Sequence, residues 1–466
     1  MTPETPQTDR ETDVDLVVVG AGPGAESLAD GAAKAGLSVV VVEKHLVGGE
    51  CPYYGCVPSK MMIRAADLLA EAGRVAGVAG DVTVVPSWAP VATRVAEEAT
   101  DHWDDTVAVE RLEKAGITVH HGVARLDGPG RVRVELAGGG AGPTYAARLG
   151  VVLNPGTRPA ELPVDGLADS PYWTNRDAVQ VTGLPSSLIV VGGGPIGCEL
   201  AQVFARFGVR VTIVQHGDRL LEGDEPEAAE LLGEVFVAEG IRVLTGVEVT
   251  SVRYADGAFT IGLDGEELVA DKLLVAAGRT PNLDDIGLET VGLDPTARTV
   301  EVDERMRAGE KLWVIGDVTG KGAFTHVAMY QSAIALRDIT GEDGDPARYH
   351  AVPHTTFTDP EVAGVGLTEA AAREAGLSVR VGSTAVESSS RGWIHGPGGR
   401  GLIKVVEDTD RGVLVGATVV GPAGGEILGF LAVAVHAEVP VATLRSMIYA
   451  YPTFHRAIET ALADLS

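Results

Sequence analysis

Asp15-Leu16-Val17-Val18-Val19-Gly20-Ala21-Gly22-Pro23-Gly24-Ala25 reads as a short buried strand, a glycine turn and the opening of a helix that runs on from Glu26 to Ala35. Glycines let the backbone turn tightly and approach a pyrophosphate, whose charge the N–H groups at the helix start stabilise. Ser38 to Val42 follows as a second strand, with Glu43 at its end, at about the distance from which an acid reaches an adenosine ribose. A glycine fingerprint alone is weak, since any tight strand-to-helix turn can mimic it. Here strand, loop, helix, strand and acid agree on a dinucleotide-binding unit.

Immediately downstream, Gly48-Gly49-Glu50-Cys51-Pro52-Tyr53-Tyr54-Gly55-Cys56-Val57-Pro58-Ser59-Lys60 holds two of the chain's 3 cysteines. On a strand-to-helix connection, with Gly55 easing the turn, Cys51 and Cys56 can close a small ring disulfide that is strained enough to be reducible. In isolation the pair also fits two core cysteines, because Cys buries well; the neighbouring nucleotide signal favours redox chemistry. Pro58 and Ser59 start a helical pattern through Met61, Met62, Ala65, Leu68 and Leu69. That places Cys56 near a helix N-terminus, where a thiolate is favoured, and Lys60 one turn in.

A second helical region is expected from Pro90 to Ala115, with His102 and Trp103 as its surface and core. From Gly116 to Leu153 short alternating strands (Thr118 to His120, Arg131 to Leu136, Ala146 to Val152) predict a small antiparallel meander closing the first domain. His120 and His121 would point to opposite strand faces, so they are assigned to structure and not to a metal. After a proline-bearing linker the opening plan returns: strand Ser187 to Val191, loop Gly192-Gly193-Gly194-Pro195-Ile196-Gly197, helix Glu199 to Phe207, strand Val209 to Val214. Two such units imply two cofactors. The second strand ends in Gln215-His216 instead of an acid, which removes the repulsion that would exclude a 2'-phosphate, and His216 or Arg219 could attract one. This leans toward NADPH, although no arginine pair is present.

Hairpins follow around Asp256-Gly257 and Asp264-Gly265, then a buried strand, Leu273-Leu274-Val275-Ala276-Ala277-Gly278. Leu312 to Ile315 runs into Gly316-Asp317, a carboxylate at a strand end where a polyol could be held, and the next helix carries His326, Ala328 and Gln331. From about Tyr349 the pattern is a separate alpha+beta domain: five strand-like stretches, helices Glu426 to Ala437 and Val441 to Ile448, and a last helix beginning at Pro452 within Tyr449-Ala450-Tyr451-Pro452-Thr453-Phe454-His455-Arg456. Its fold class is α/β, with two Rossmann-like units and an α+β C-terminal domain.

With 65 acidic and 37 basic residues, a formal charge of -28 repels phosphate backbones and argues against nucleic acid or an anionic membrane as the main partner. The most apolar segments are far shorter than a membrane span. Three cysteines are too few for a secreted disulfide scaffold, which points to a reducing cytoplasm. Met1 to Thr12 is expected to be a frayed polar leader, lacking the basic start and apolar stretch of a secretory signal.

On these motifs the chain resembles, over nearly its whole length, the pyridine nucleotide-disulfide oxidoreductase family of flavoprotein disulfide reductases. The resemblance implies an FAD-binding domain in two parts, residues 1–154 and 284–349, an NAD(P)-binding domain at 155–283, and a dimerisation domain at 350–466, hence a homodimer. It assigns Gly20, Gly22, Ala25, Glu43, Gly156, Gly316, Asp317 and Ala328 to FAD, and Gly192, Gly194, Gly197, Gln215, His216 and Gly278 to NADH or NADPH. It makes Cys51 the thiol that exchanges with substrate and Cys56 the one against the flavin, with Lys60 and Glu199 paired beside the ring. Asn154-Pro155-Gly156-Thr157 departs from the family's usual Ala-Thr-Gly turn.

The largest departure lies near the C-terminus. Relatives that reduce disulfides carry a His-Pro and a Glu there, where imidazole shuttles a proton; this chain has Tyr451 before Pro452, and Arg456. With reference values of about 10 for Tyr and above about 12 for Arg, neither is a ready base at neutral pH. His455, four residues after Tyr451 and so expected on the same helix face, is a possible substitute. Tyr53 and Tyr54, and the loop Arg391 to Gly396, are either specificity elements or simple packing. The expected function is an FAD-dependent NAD(P)H oxidoreductase that passes electrons through Cys51 and Cys56 to a disulfide, a soft metal ion or a quinone-like acceptor, with no resident metal. The alternatives are a carbon-sulfur bond cleaving carboxylase resembling 2-ketopropyl coenzyme M oxidoreductase, and an E3-like component of the dihydrolipoamide dehydrogenase type.

Overall fold

The computed structural model describes residues 11–466. Of the polar leader expected over Met1 to Thr12, residues 1–10 lie outside the described residues, while Glu11 and Thr12 already belong to the strand Glu11–Val19. Two compact units are formed, one from the described chain up to Val57 with Ala99–Arg158 and Arg279–Arg348, the other from Pro58–Glu98, Pro159–Gly278 and Tyr349–Ser466.

In the first unit the valine-rich strands Glu11–Val19 and Val39–Glu43 lie parallel, Leu16 opposite Val39. Val39–Glu43 is buried along its whole length, as expected of a strand covered on both faces. Thr118–Leu126 continues the parallel sheet beyond Val39–Glu43, and Ala141–Leu153 and Leu312–Val314 extend it on the other side. The expected meander is therefore corrected. Thr118–Leu126 and Ala141–Leu153 are long strands whose one end pairs in parallel with the nucleotide-binding core while the other pairs antiparallel with Arg131–Leu136. Local alternation cannot report which distant strand a segment joins, so the sequence showed only the antiparallel half.

In the second unit Lys272–Val275, Ser187–Val191, Arg210–Val214 and Arg242–Leu244 make a parallel sheet in that order, and Val249–Ala255, Ala258–Leu263 and Glu266–Ala270 a three-stranded antiparallel one. The C-terminal sheet runs Pro353–Thr356, Glu361–Gly366, Val413–Gly421, Leu402–Asp408, Val379–Ala385. Its core joins Val405 and Val419 to Leu428 and Leu431 of the helix Gly424–His436, and to Ile458 and Leu462 of the helix Ala457–Ala463.

Two expected helices are corrected. The stretch from Pro90 to Ala115 is broken: Ala89–Arg94 is α-helical, Val95–Ala99 a π-turn, and Asp101, His102 and Trp103 all take positive φ before the helix Thr106–Lys114. The last helix starts at Ala457 and not at Pro452, after a 3₁₀ turn Phe454–Arg456, so Tyr451 and His455 do not share a helix face.

Candidate active site

At the first glycine loop, the helix Pro23–Lys34 begins on Gly22 with proline at its first position, where the missing N–H costs nothing. Gly20 has φ +85, and a Cβ there would meet the Asn154 carbonyl oxygen at 2.3 Å, so only glycine fits. Glu43 is buried; its carboxylate accepts hydrogen bonds from Ala21 N and His45 N, each 2.7 Å, and so ties the loop to the end of the second strand. Gly24 packs against Ala328 of the helix Thr325–Thr340, where a Cβ would lie 2.9 Å from the Ala328 oxygen. Across the loop, Gly316 N donates to the buried Gln331 Oε1 at 2.7 Å, and Gln331 Nε2 to Thr319 Oγ1 at 2.9 Å, which fixes the turn carrying Asp317.

Asp317 connects onward to the redox segment. Thr157 Oγ1 donates to Asp317 Oδ2 at 2.8 Å, Arg279 Nε donates to Thr157 Oγ1 at 2.7 Å, and Arg279 Nη2 lies 3.1 Å from Glu50 Oε2. Glu50 opens the one-turn helix Glu50–Tyr53 that contains half-buried Cys51. Exposed Cys56 is the first residue of the helix Cys56–Gly73, and its Sγ lies 3.6 Å from Thr325 Oγ1. From another side, Trp103 Nε1 donates to Tyr53 O at 3.1 Å, and Asp105 Oδ2 accepts from Val47 N at 2.7 Å. Burial pushes the Tyr53 phenol up to about 12, and the buried ring is packing for this loop. Thr157, Arg279, Thr325 and Trp103 were not singled out as site residues from the sequence. Thr157 and Arg279 each directly follow a glycine that the resemblance assigns to a cofactor, a signal available in the chain; Trp103 offers none, because its turn lacks Gly and Pro.

His120 and His121 diverge as read: His120 Nε2 lies 2.7 Å from Tyr145 Oη, and His121 Nε2 3.3 Å from Asp105 Oδ2.

The second loop repeats the first with one exchange. Its helix Pro195–Arg206 starts on Gly194, again with proline first. Gly192, at φ +114, would place a Cβ 2.5 Å from Ala276 O, and a Cβ on Gly197 would lie 2.0 Å from Gly192 O. Gly193 N donates to Gln215 Oε1 at 2.7 Å, the counterpart of Ala21 N on Glu43. His216 is exposed, Gly278 has φ +106, and Arg219 Nη2 is turned to the carbonyls of Glu222 and Asp224 within its own loop. Cys198 is fully buried, its Sγ on Gly193 O at 3.3 Å, and burial pushes its thiol up.

Lys60 Nζ lies 2.8 Å from Glu199 Oε2 and 4.7 Å from the Phe357 ring centroid, while Glu199 Oε1 accepts from Phe357 N at 2.8 Å. In the C-terminal element Tyr451 is 69% exposed, with the Arg456 guanidinium over its ring at 5.6 Å. Arg456 also pairs with Glu459 at 2.9 Å. His455 faces the Tyr449 ring at 6.2 Å instead of Tyr451. Arg391 and His395, from the loop marked in the sequence, pack on Phe454 at 5.2 and 5.5 Å.

The family model for pyridine nucleotide-disulphide oxidoreductases matches residues 14–332, and the model of that family's dimerisation domain matches residues 352–462. The chain belongs to this family. As a pyridine nucleotide-disulphide oxidoreductase it is an enzyme that uses FAD and NAD(P)H, and the two glycine loops, each opening a helix N-terminus, fit two such nucleotides. It is 34% identical to a dihydrolipoyl dehydrogenase from Haloferax volcanii, over 97% of this chain and 96% of that protein. A mercuric reductase from Acidithiobacillus ferrooxidans is 33% identical over 97% of this chain and 83% of its own length. Among solved structures, LpdA from Mycobacterium tuberculosis superposes with a TM-score of 0.85 at 27% identity, covering 97% of this oxidoreductase and 99% of LpdA. The HOCl-induced flavoprotein disulfide reductase RclA from Escherichia coli, as its Cu(II) complex, shares the fold at a TM-score of 0.84, with 23% identity and the same coverage. No helix among the described residues is long and apolar enough to cross a membrane.

Proposed function

We propose that the chain is an NAD(P)H-dependent reductase that delivers electrons through Cys51 and Cys56 to a small electrophile needing little proton transfer: an activated disulfide, a soft metal ion as substrate, or a quinone-like molecule. The observation that carries this reading is the cysteine segment itself, tied through Glu50, Arg279 and Thr157 to Asp317, together with an exposed Tyr451 where the resemblance leads one to expect the His-Glu dyad of the disulfide-reducing members. When bound, FAD supplies the two-electron relay between nicotinamide and sulfur.

The remaining work falls to the chain's own groups. Cys56, at a helix N-terminus, is favoured as thiolate, and the Thr325 hydroxyl beside it limits where its sulfur can sit. Cys51 is the thiol offered to the acceptor; as two electrons leave the pair, the Cys51–Cys56 bond re-forms and the one proton held by Cys51 passes to the acceptor or to solvent. Lys60 and Glu199 form a neutralised pair on the helix that Cys56 opens and its partner helix. Gln215 in place of an acid leans the reading toward NADPH. The enzyme is read as a cytoplasmic homodimer, with the FAD domain at 1–154 and 284–349 and the NAD(P) domain at 155–283.

A stopped-flow screen of the two-electron-reduced enzyme against small disulfides, quinones and Hg(II) tests this. We expect rapid reoxidation by at least one class, abolished in Cys56→Ser, and a long-wavelength absorption band on reduction. No band, with turnover intact in Cys56→Ser, would refute the dithiol route. Tyr451→Phe and His455→Ala in the same screen assign the proton step.

A further inference from the structure

Asn154 stands where the family's usual turn has alanine, and its surroundings give the exchange a role. Its backbone fills the space left by the missing Cβ of Gly20, and its side chain fills that of Gly316, with Oδ1 2.4 Å from where a Gly316 Cβ would be. Its Nδ2 lies 3.2 Å from the Cβ position of Gly22, the residue that starts the phosphate-loop helix. The carboxamide thus spans the phosphate loop and the turn carrying Asp317. Asn154 is only 7% exposed, yet among the described residues no protein group bonds its side chain; its backbone N–H alone is engaged, on Val19 O. The residue is buried as a whole, but its carboxamide nitrogen and oxygen are not among the fully buried unbonded side-chain atoms, so the amide stays open to a ligand lying along the loop.

We propose that the Asn154 side chain is a direct contact of bound FAD, its Nδ2–H group donating to the pyrophosphate-ribityl segment that the Gly20–Gly22 loop and Asp317 address. Alanine at this position has no donor, so the contact is specific to chains with an amide here. The inference does not depend on which acceptor the enzyme reduces.

The test measures flavin retention, not turnover. Holoenzyme is diluted stepwise at pH 8 and free FAD read by its fluorescence, giving a Kd for wild type, Asn154→Ala and Asn154→Asp. A hydrogen bond to a charged group is worth roughly one to two powers of ten, so Asn154→Ala is expected to weaken FAD binding about ten- to hundredfold. Asn154→Asp keeps the shape but sets a carboxylate against phosphate; it should bind FAD more weakly than Asn154→Ala and recover toward acid pH, as the carboxyl regains a proton to donate. A side chain that only filled space would give the opposite order, with the isosteric Asp close to wild type. An Ala variant within threefold of wild type, or an Asp variant binding more tightly than Ala at pH 8, overturns the proposal.

Discussion

Lys60 and Glu199 show what a single side chain is asked to do here. Glu199 is buried, and its two oxygens are divided between the Lys60 ammonium and the Phe357 N–H. Removing the cation strands a buried carboxylate, a loss larger than the net value of the pair. Because Lys60 keeps a third of its exposure, solvent softens the effect. We expect Lys60→Met to lower the unfolding free energy by about 1–3 kcal/mol, and the double change Lys60→Met/Glu199→Leu to recover much of it, both read by urea unfolding. At the second loop, Gln215→Glu would retain the bond from Gly193 N while adding a charge next to any 2'-phosphate. The ratio of kcat/KM for NADH over NADPH should rise about tenfold or more, equivalent to at least about 1.4 kcal/mol. Glycines, the paired cysteines and strand-end acids were legible because each is demanded by backbone geometry or by its own chemistry. Thr325 and Trp103 were not, since their contacts come from neighbours distant in the chain.

The same division holds for elements. Both strand-loop-helix units were read to within a few residues, because valine runs and glycine turns are local signals. The break at Asp101-His102-Trp103 was not: three non-glycine residues hold left-handed conformations that no local residue announces, and the Trp103 bond to Tyr53 O is among the contacts that over-determine them. The helix Pro195–Arg206 carries its own ionic problem. Arg206 is nearly buried and meets Asp67, Glu239 and Asp359 at 2.7–2.8 Å, with Arg74 also on Asp359. Burial pushes the Asp67 carboxyl up to about 6 although Arg206 pulls it the other way. An acid whose folded value lies above its unfolded value near 3.8 favours the fold when protonated, so this contribution is complete below about pH 4 and lost as pH rises through about 6. Asp67→Asn should remove that slope and, at pH 8, raise the unfolding free energy by about 1 kcal/mol, after allowing for Asp67's partial exposure; urea titrations across pH 4–8 decide it.

For the whole molecule, the matched dimerisation domain leaves large apolar side chains in water: Ile448 is 94% exposed, Trp393 79% and Val433 65%. In a domain that pairs with a second copy, apolar side chains left exposed on the single chain are the first to test for the pairing face. Ile448→Glu is expected to shift the enzyme from dimer toward monomer in sedimentation velocity, leaving the far-UV circular dichroism unchanged. The duplicated nucleotide plan was visible at this scale because it recurs in sequence; the pairing of long strands across the first unit was not, because it sets Thr118 opposite Val40 and Leu153 opposite Val19, partners far apart in the chain. That duplication is anchored at equivalent points by Glu43 and Gln215, which hold their loops through the same backbone donor. Codons for glutamine and glutamate differ in one base. If that point sets the nucleotide, as proposed above, a lineage could trade one reducing currency of the cell for another by a single point change in its gene, with no rearrangement of the interior to accompany it.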